Sequence, residues 1–196
     1  MYANAAAVLE YVAGVDLSAL GDQAAQDAAV QEAAEIATAA VDAFTRRTFS
    51  TEVATKLLDG SGSPLLFVPD LLSLTSWSMD GVARSTSELL LCPDSTPKMW
   101  LRLTSGVFTV GSENVELSGT WGYGQSVPIL VARATARLAA AELLGRVAIS
   151  RDRGSSATSQ GALSERYDGG AYAAAVGRLT MDAQRELAPF RRPVLP

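Results

Sequence analysis

A chain of 196 residues with 48% apolar and 19% charged residues can bury a sizeable core in one or two compact units and is too apolar to stay disordered. With no histidine and a single cysteine, Cys92, it lacks an internal disulfide, the usual Cys/His zinc sites, Ser-His-Asp triads and Cys-His pairs. The formal charge of −5 is uneven: residues 1–48 hold seven acids and two arginines, residues 49–131 eight acids and four bases, and residues 132–196 six acids and ten arginines, so any DNA contact is expected to be passive or confined to the last third.

The N-terminal stretch MYANAAAVLEYV carries an acid where a signal peptide starts basic, and no apolar run approaches the ~20 residues of a membrane span. A secreted or membrane-embedded chain is therefore not expected. Alanine divides the chain, with 16 in residues 1–48, two in 49–131 and 15 in 132–196, so helical ends flank a β middle. Asn4 is placed to cap a short helix through Val12, with Gly14 as its stop. Asp22 opens a longer helix to about Arg47, in which Val30, Ala33, Ala37, Ala40 or Val41, and Phe44 recur at three- and four-residue steps.

From Phe49 the spacing predicts strands. Val53 to Leu58 and Leu65 to Val68 form a hairpin around DGSGS (Asp59 to Ser63), and Leu74 to Met79 turns at Asp80-Gly81 into Val82 to Leu91. After the link CPDSTP (Cys92 to Pro97), short strands follow at Trp100 to Leu103, Val107 to Val110 and Val115 to Thr120, with Gly119, Gly122 and Gly124 marking the exit. Ser126 and Pro128 start a helix to about Val147. The polar, glycine-rich stretch Ser150 to Gly170 is expected to be a mobile loop. A final helix covers Ala171 to Leu187, and Pro189 stops it. The tail PFRRPVLP (Pro189 to Pro196) is then expected to be extended.

Candidates for chemistry are sparse. The GSG of DGSGSP lacks the Lys-Ser/Thr and the helix of a phosphate loop and reads as a hairpin turn. Glu113 and Glu116 lie three residues apart in a strand or turn, and acid–base work needs a pocket around such a pair, so a solvated strand end is the simpler reading. No serine sits in G-x-S-x-G, and only Lys56 and Lys98 could act as its base. Trp121 and Tyr123 could stack on bases, but no cation interleaves them, so sheet packing is the simpler role. Cys92 reads as a small, partly buried apolar residue. Arg133 and Arg137 share one helix face, either solvated or turned to a partner, and Arg146 points elsewhere. In the tail, Phe190, Val194 and Leu195 flank Arg191 and Arg192, a composition suited to docking on a foreign surface. No enzyme, metal or cofactor is expected.

Five passages in order carry a resemblance: YANAAAVLEYVAG, AAEIATAAVDAFTRRTF, LLDGSGSPLLFVPDLLSLTSWSMDG, ELSGTWGYGQSVPILVARATARLAAAELLGR, and SERYDGG with ELAPFRRP. Together they are spread over nearly the whole chain, and the stretch Arg84 to Trp100 fits no pattern of the family. The chain resembles the head-tail connector (adaptor) proteins of long-tailed double-stranded DNA phages and gene-transfer particles. The resemblance implies a homo-oligomeric ring, typically a dodecamer, beneath the portal in the virion neck, reached from the host cytoplasm during assembly. Such a ring extends the DNA channel, touches the duplex non-specifically and docks a stopper or tail-completion protein. It also implies that the C-terminal segment engages the portal protein, through Arg185, Glu186, Pro189, Phe190, Arg191, Arg192, Pro193, Val194 and Leu195. The rival is an arginine-rich DNA-binding or packaging regulatory protein.

The fold expected is α+β, mainly helical: an alanine-rich helical bundle with an inserted small antiparallel β element and an extended C-terminal tail. Its divisions would be N-terminal helices 1–48, a β element 49–125, C-terminal helices 126–188 with the mobile loop 150–170, and the tail 189–196.

Overall fold

The computed structural model describes residues 1–154 and 169–192. The chain divides into two compact units, Met1–Arg46 with Ile129–Pro196, and Arg47–Pro128.

In the first unit, α1 (Ala5–Tyr11) begins where the Asn4 side chain accepts the Ala7 N–H at 2.8 Å. The longer α2 (Gln23–Thr45) begins where Asp22 accepts the Ala25 N–H at 2.9 Å, and it ends at Arg46 in the left-handed region. Such caps satisfy amides that the first turn leaves without an intrahelical partner. The central helix is α3 (Ile129–Gly154), on which α1, α2 and α4 (Gly169–Leu187) all pack. Its alanines make this possible, because Ala136, Ala139 and Ala140 are buried beside Leu143 and Leu144 and let neighbouring backbones approach closely. Residues 150–154 continue α3 and 169–170 begin α4, so the ends of the expected loop are helical. The rest of that loop lies outside the described residues.

The second unit is a six-stranded antiparallel sheet: β1 (Glu52–Gly60), β2 (Leu65–Met79), β3 (Val82–Arg84), β4 (Leu89–Cys92), β5 (Lys98–Leu103) and β6 (Gly111–Trp121). The order is β1-β6-β2-β5-β4, with β3 on the end of β2. Strand alternation sends Leu66, Val68, Leu101, Val115 and Leu117 to a core closed by Trp77, Trp121 and Phe108. Asp80 and Gly81 take φ of 53° and 74°, the doubly positive pair that a tight hairpin between β2 and β3 requires.

The structure corrects several expectations. Helix makes up 46% and strand 28%, so the protein is α+β but not mainly a helical bundle. The sheet is no small insertion, since its core is separate from the helical one. The DGSGS turn joins β1 to β2 without pairing them, because β6 lies between the two. Gly119 allows that insertion: a Cβ there would stand 2.2 Å from the Ser73 carbonyl oxygen. The two strands expected at Leu65 to Val68 and Leu74 to Met79 are one strand, bent by register shifts so that its first half pairs with β5 and its second with β6. Val82 to Leu91 is broken by the 3-10 turn Thr86–Glu88, closed by a capping box between Ser85 and Glu88. Val107 to Val110 is irregular, and its Phe108 instead plugs the core, with its backbone N–H on the Ser63 carbonyl at 2.9 Å.

The tail is also not extended from Pro189. Ala188–Phe190 forms a 3-10 turn, and the Arg192 N–H donates to the Thr45 carbonyl at 2.8 Å, which folds the segment back on the end of α2.

Candidate functional site

The residues singled out in the C-terminal segment divide into an inward and an outward set. Glu186 faces inward from α4, and its Oε1 accepts Arg133 Nη2 at 2.5 Å and Arg137 Nη1 at 2.7 Å from α3. Its side chain is 14% exposed. The hydrogen bond and the charge of Glu186 raise the Arg133 guanidinium above its ordinary value. The other oxygen, Oε2, is buried with no hydrogen-bond partner among the described residues. Arg137 also lies 5.6 Å from the centre of the Tyr11 ring, which joins α1 to the same cluster.

Phe190 and Arg192 are half-buried, while Arg185, Pro189 and Arg191 are exposed. The Arg185 side chain is 80% exposed, with Asp182 4.0 Å away on the preceding turn. Arg191 lies over the Phe44 ring at 5.1 Å. The described part of the segment is thus pinned at Glu186 and Arg192 and presents Arg185, Pro189 and Arg191 outward. Pro193, Val194 and Leu195 lie outside the described residues.

Other arginines of the last third serve the helical unit itself. Arg146 pairs with Glu32 at 2.6 Å and Glu142 at 2.9 Å, and Arg151 holds Asp16 at 3.1 Å. These contacts have electrostatic consequences. The Arg146 hydrogen bonds raise its own value and lower that of Glu32, and Asp16 is lowered chiefly by the Ser18 backbone N–H and hydroxyl.

In the sheet unit, the aromatic residues weighed as a base-stacking platform are engaged internally. Trp121 is 1% exposed, donates its Nε1–H to the Ala54 carbonyl at 2.8 Å and carries Lys56 over its ring. Tyr123 packs on Phe49 at 5.1 Å and under the Arg47 guanidinium at 5.3 Å. Arg47 in turn forms a buried ion pair with Asp70, a residue held at φ 39°. The Gly122 N–H donates to the Asp70 carbonyl at 2.8 Å, so one knot ties the entry of the unit, its exit and the bend of β2. Nothing in the sequence signals this pair, whose members stand 23 positions apart. The Glu186 clamp left a fainter trace, in two arginines one turn apart on an alanine-rich helix.

The remaining candidates are placed as follows. Lys98 donates to the Pro93 and Asp94 carbonyls at 2.8 and 2.7 Å. Glu113 stands exposed near the start of β6 at φ 52°, Glu116 on the sheet face away from the core, and Cys92 is half-buried at the end of β4. An open cleft of about 380 Å³, lined by Thr51, Leu72, Ser73, Thr96, Thr120 and Gln125, contains no ionisable side chain for acid–base work. Among the described residues no group of three His, Cys, Asp or Glu is placed to hold a metal ion, and no helix is long and apolar enough to cross a membrane.

No protein-family model matches the chain, and no curated protein matches it. Among solved structures, it is similar to a chain in the neck of an empty GTA particle computed with C6 symmetry, at 17% identity and a TM-score of 0.55, over 98% of this chain and 93% of that one. It is also similar to a chain in the neck of a native GTA particle computed with C12 symmetry, at 16% identity and a TM-score of 0.52, over 87% and 85% of the two. The protein therefore has the fold of particle-neck chains over nearly its whole length.

Proposed function

We propose that the protein is a structural subunit of the neck of a phage-like particle: a head-tail connector (adaptor) that forms a ring, of twelve copies, between the portal vertex and the tail. The observation that carries this reading is the shared fold, which covers both helical and sheet units of chains described as particle necks. The C6 and C12 symmetries of those necks favour a closed ring. The role is mechanical and needs no catalytic group, metal or cofactor. The ring would continue the portal channel, with the exposed Arg185, Pro189 and Arg191 available to the portal protein and a stopper or tail-completion protein docking beyond. It would assemble in the host cytoplasm and remain in the virion neck.

Net charge suits a lumen that conducts DNA without holding it. Each cation that neutralises a phosphate adds affinity by releasing counterions, and a chain of −5 supplies few to spare. The rival reading, an arginine-rich DNA-binding regulator, is disfavoured because Arg133, Arg137, Arg146 and Arg151 are committed to acids of the same chain.

The test is to mix the purified full-length chain with tail-less, portal-bearing particles and image the vertex. Rings at the portal are the expected result. Bare portals together with submicromolar duplex binding at ~0.15 M salt, which is tighter than ordinary non-specific binding, would replace the connector with the regulator.

A further inference from the structure

The sheet face away from the core carries an apolar patch at each end. At the β4/β5 end the register aligns Leu65, Arg102 and Leu90 in one cross-strand row and Phe67, Trp100 and Cys92 in the next. Phe67 is 51%, Leu90 50% and Leu65 40% exposed. Arg102, exposed between two leucines, has no ion-pair partner among the described residues. At the opposite end, the edge strand β1 presents Val53, 86% exposed, and Leu57, 51% exposed, on the same outward face. Leu57 lies across from Glu116, which is likewise exposed and without an ion-pair partner among the described residues.

We propose that these patches are the two halves of one subunit–subunit contact, with Val53, Leu57 and Glu116 of one copy seated on Leu65, Leu90 and Arg102 of the next. The occupant is a second copy of this chain because the chain itself carries both members of a complementary pair: at one end a cation between leucines, at the other an anion beside Leu57, each without an ion-pair partner among the described residues. Exposed apolar surface of this kind marks an association site, and the opposed charges set its register. The two patches differ, so the contact is head-to-tail and propagates from copy to copy until rotation closes it. The inference deepens the connector reading and rests on its ring.

The experiment uses the full-length chain with Arg102→Glu, Glu116→Arg, and both changes together. Sedimentation velocity and negative-stain imaging follow assembly, and tryptophan fluorescence on unfolding checks the fold. Each single reversal places like charges in the contact and should weaken assembly at least about tenfold, while the double reversal restores it. In a Cys92→Ser background, Leu57→Cys with Leu90→Cys should yield a ladder of crosslinked copies with a short bis-maleimide.

If the unaltered chain forms rings but the single reversals assemble equally well, or the cysteines fail to crosslink within intact rings, the contact is wrong and the ring stands. The patches would then belong to another partner. If the unaltered chain stays monomeric both alone and on portal-bearing particles, the ring itself fails and the contact with it.

Discussion

Replacing Asp70 with asparagine should destabilise the sheet unit by about 2–3 kcal/mol. Asparagine is nearly the same size and tolerates the φ of 39° that Asp70 adopts, so the change isolates the charge. The two side chains of the Arg47–Asp70 pair are only 9% and 6% exposed, and stripping the partner from a buried ion generally costs about 3–5 kcal/mol. Two features reduce that figure. The asparagine oxygen still accepts a hydrogen bond from Arg47, and the Tyr123 ring, 5.3 Å away, still attracts the guanidinium. The assay is urea unfolding followed by tryptophan fluorescence, since all three tryptophans, Trp77, Trp100 and Trp121, lie in the sheet unit. At a slope of about 1.5 kcal/mol per molar urea, the midpoint should fall by roughly 1.3–2 M. Adding Arg47→Met should recover part of the loss, because the unpaired cation is then gone. A midpoint shift under about 0.5 M for Asp70→Asn, or a double variant less stable than Asp70→Asn alone, would refute the assignment of the pair as the anchor of this unit.

Three further outcomes are expected. Gly122→Ala should lower the same fluorescence midpoint by an amount equivalent to about 1–3 kcal/mol, because Gly122 has φ 133° and a Cβ there would meet the Ser50 carbonyl oxygen at 2.7 Å; an unchanged midpoint would show that the exit turn can relax. Asp16 and Glu32 are both held below their ordinary values of 3.8 and 4.5, so their contribution is present above those values and is lost as pH falls through the lower folded-state values. The melting temperature of the helical unit, followed by circular dichroism, should therefore drop on acidification, and less steeply in Asp16→Asn with Glu32→Gln; identical profiles would count against the assignment. Asp42 works in the opposite direction, since burial raises it. Glu186→Gln should speed hydrogen exchange across residues 185–192 while leaving the sheet unit unaffected, because it removes the charge that Arg133 and Arg137 both grip; unchanged exchange would mean that packing alone holds the segment.

Local chemistry made the helices legible in the sequence. Asn4 and Asp22 cap where their side chains can reach amides three residues on, and the alanine-rich stretches have few alternatives to helix. Asp80-Gly81 was equally readable, because a doubly positive turn admits few residue types. The order of short passages along the chain pointed to particle connectors, and the fold agrees with particle-neck chains at an identity too low for residue-by-residue transfer. Tertiary structure alone decided which strands pair. The turn after β1 suggested a simple hairpin, but β6 enters between β1 and β2 because Gly119 lets two backbones meet where any side chain would collide. Likewise, no local signal reveals that Glu186 faces two arginines or that Arg47 finds Asp70. Ion pairs between distant positions depend on which faces the cores bring together, and the sequence states the charges without stating the neighbours.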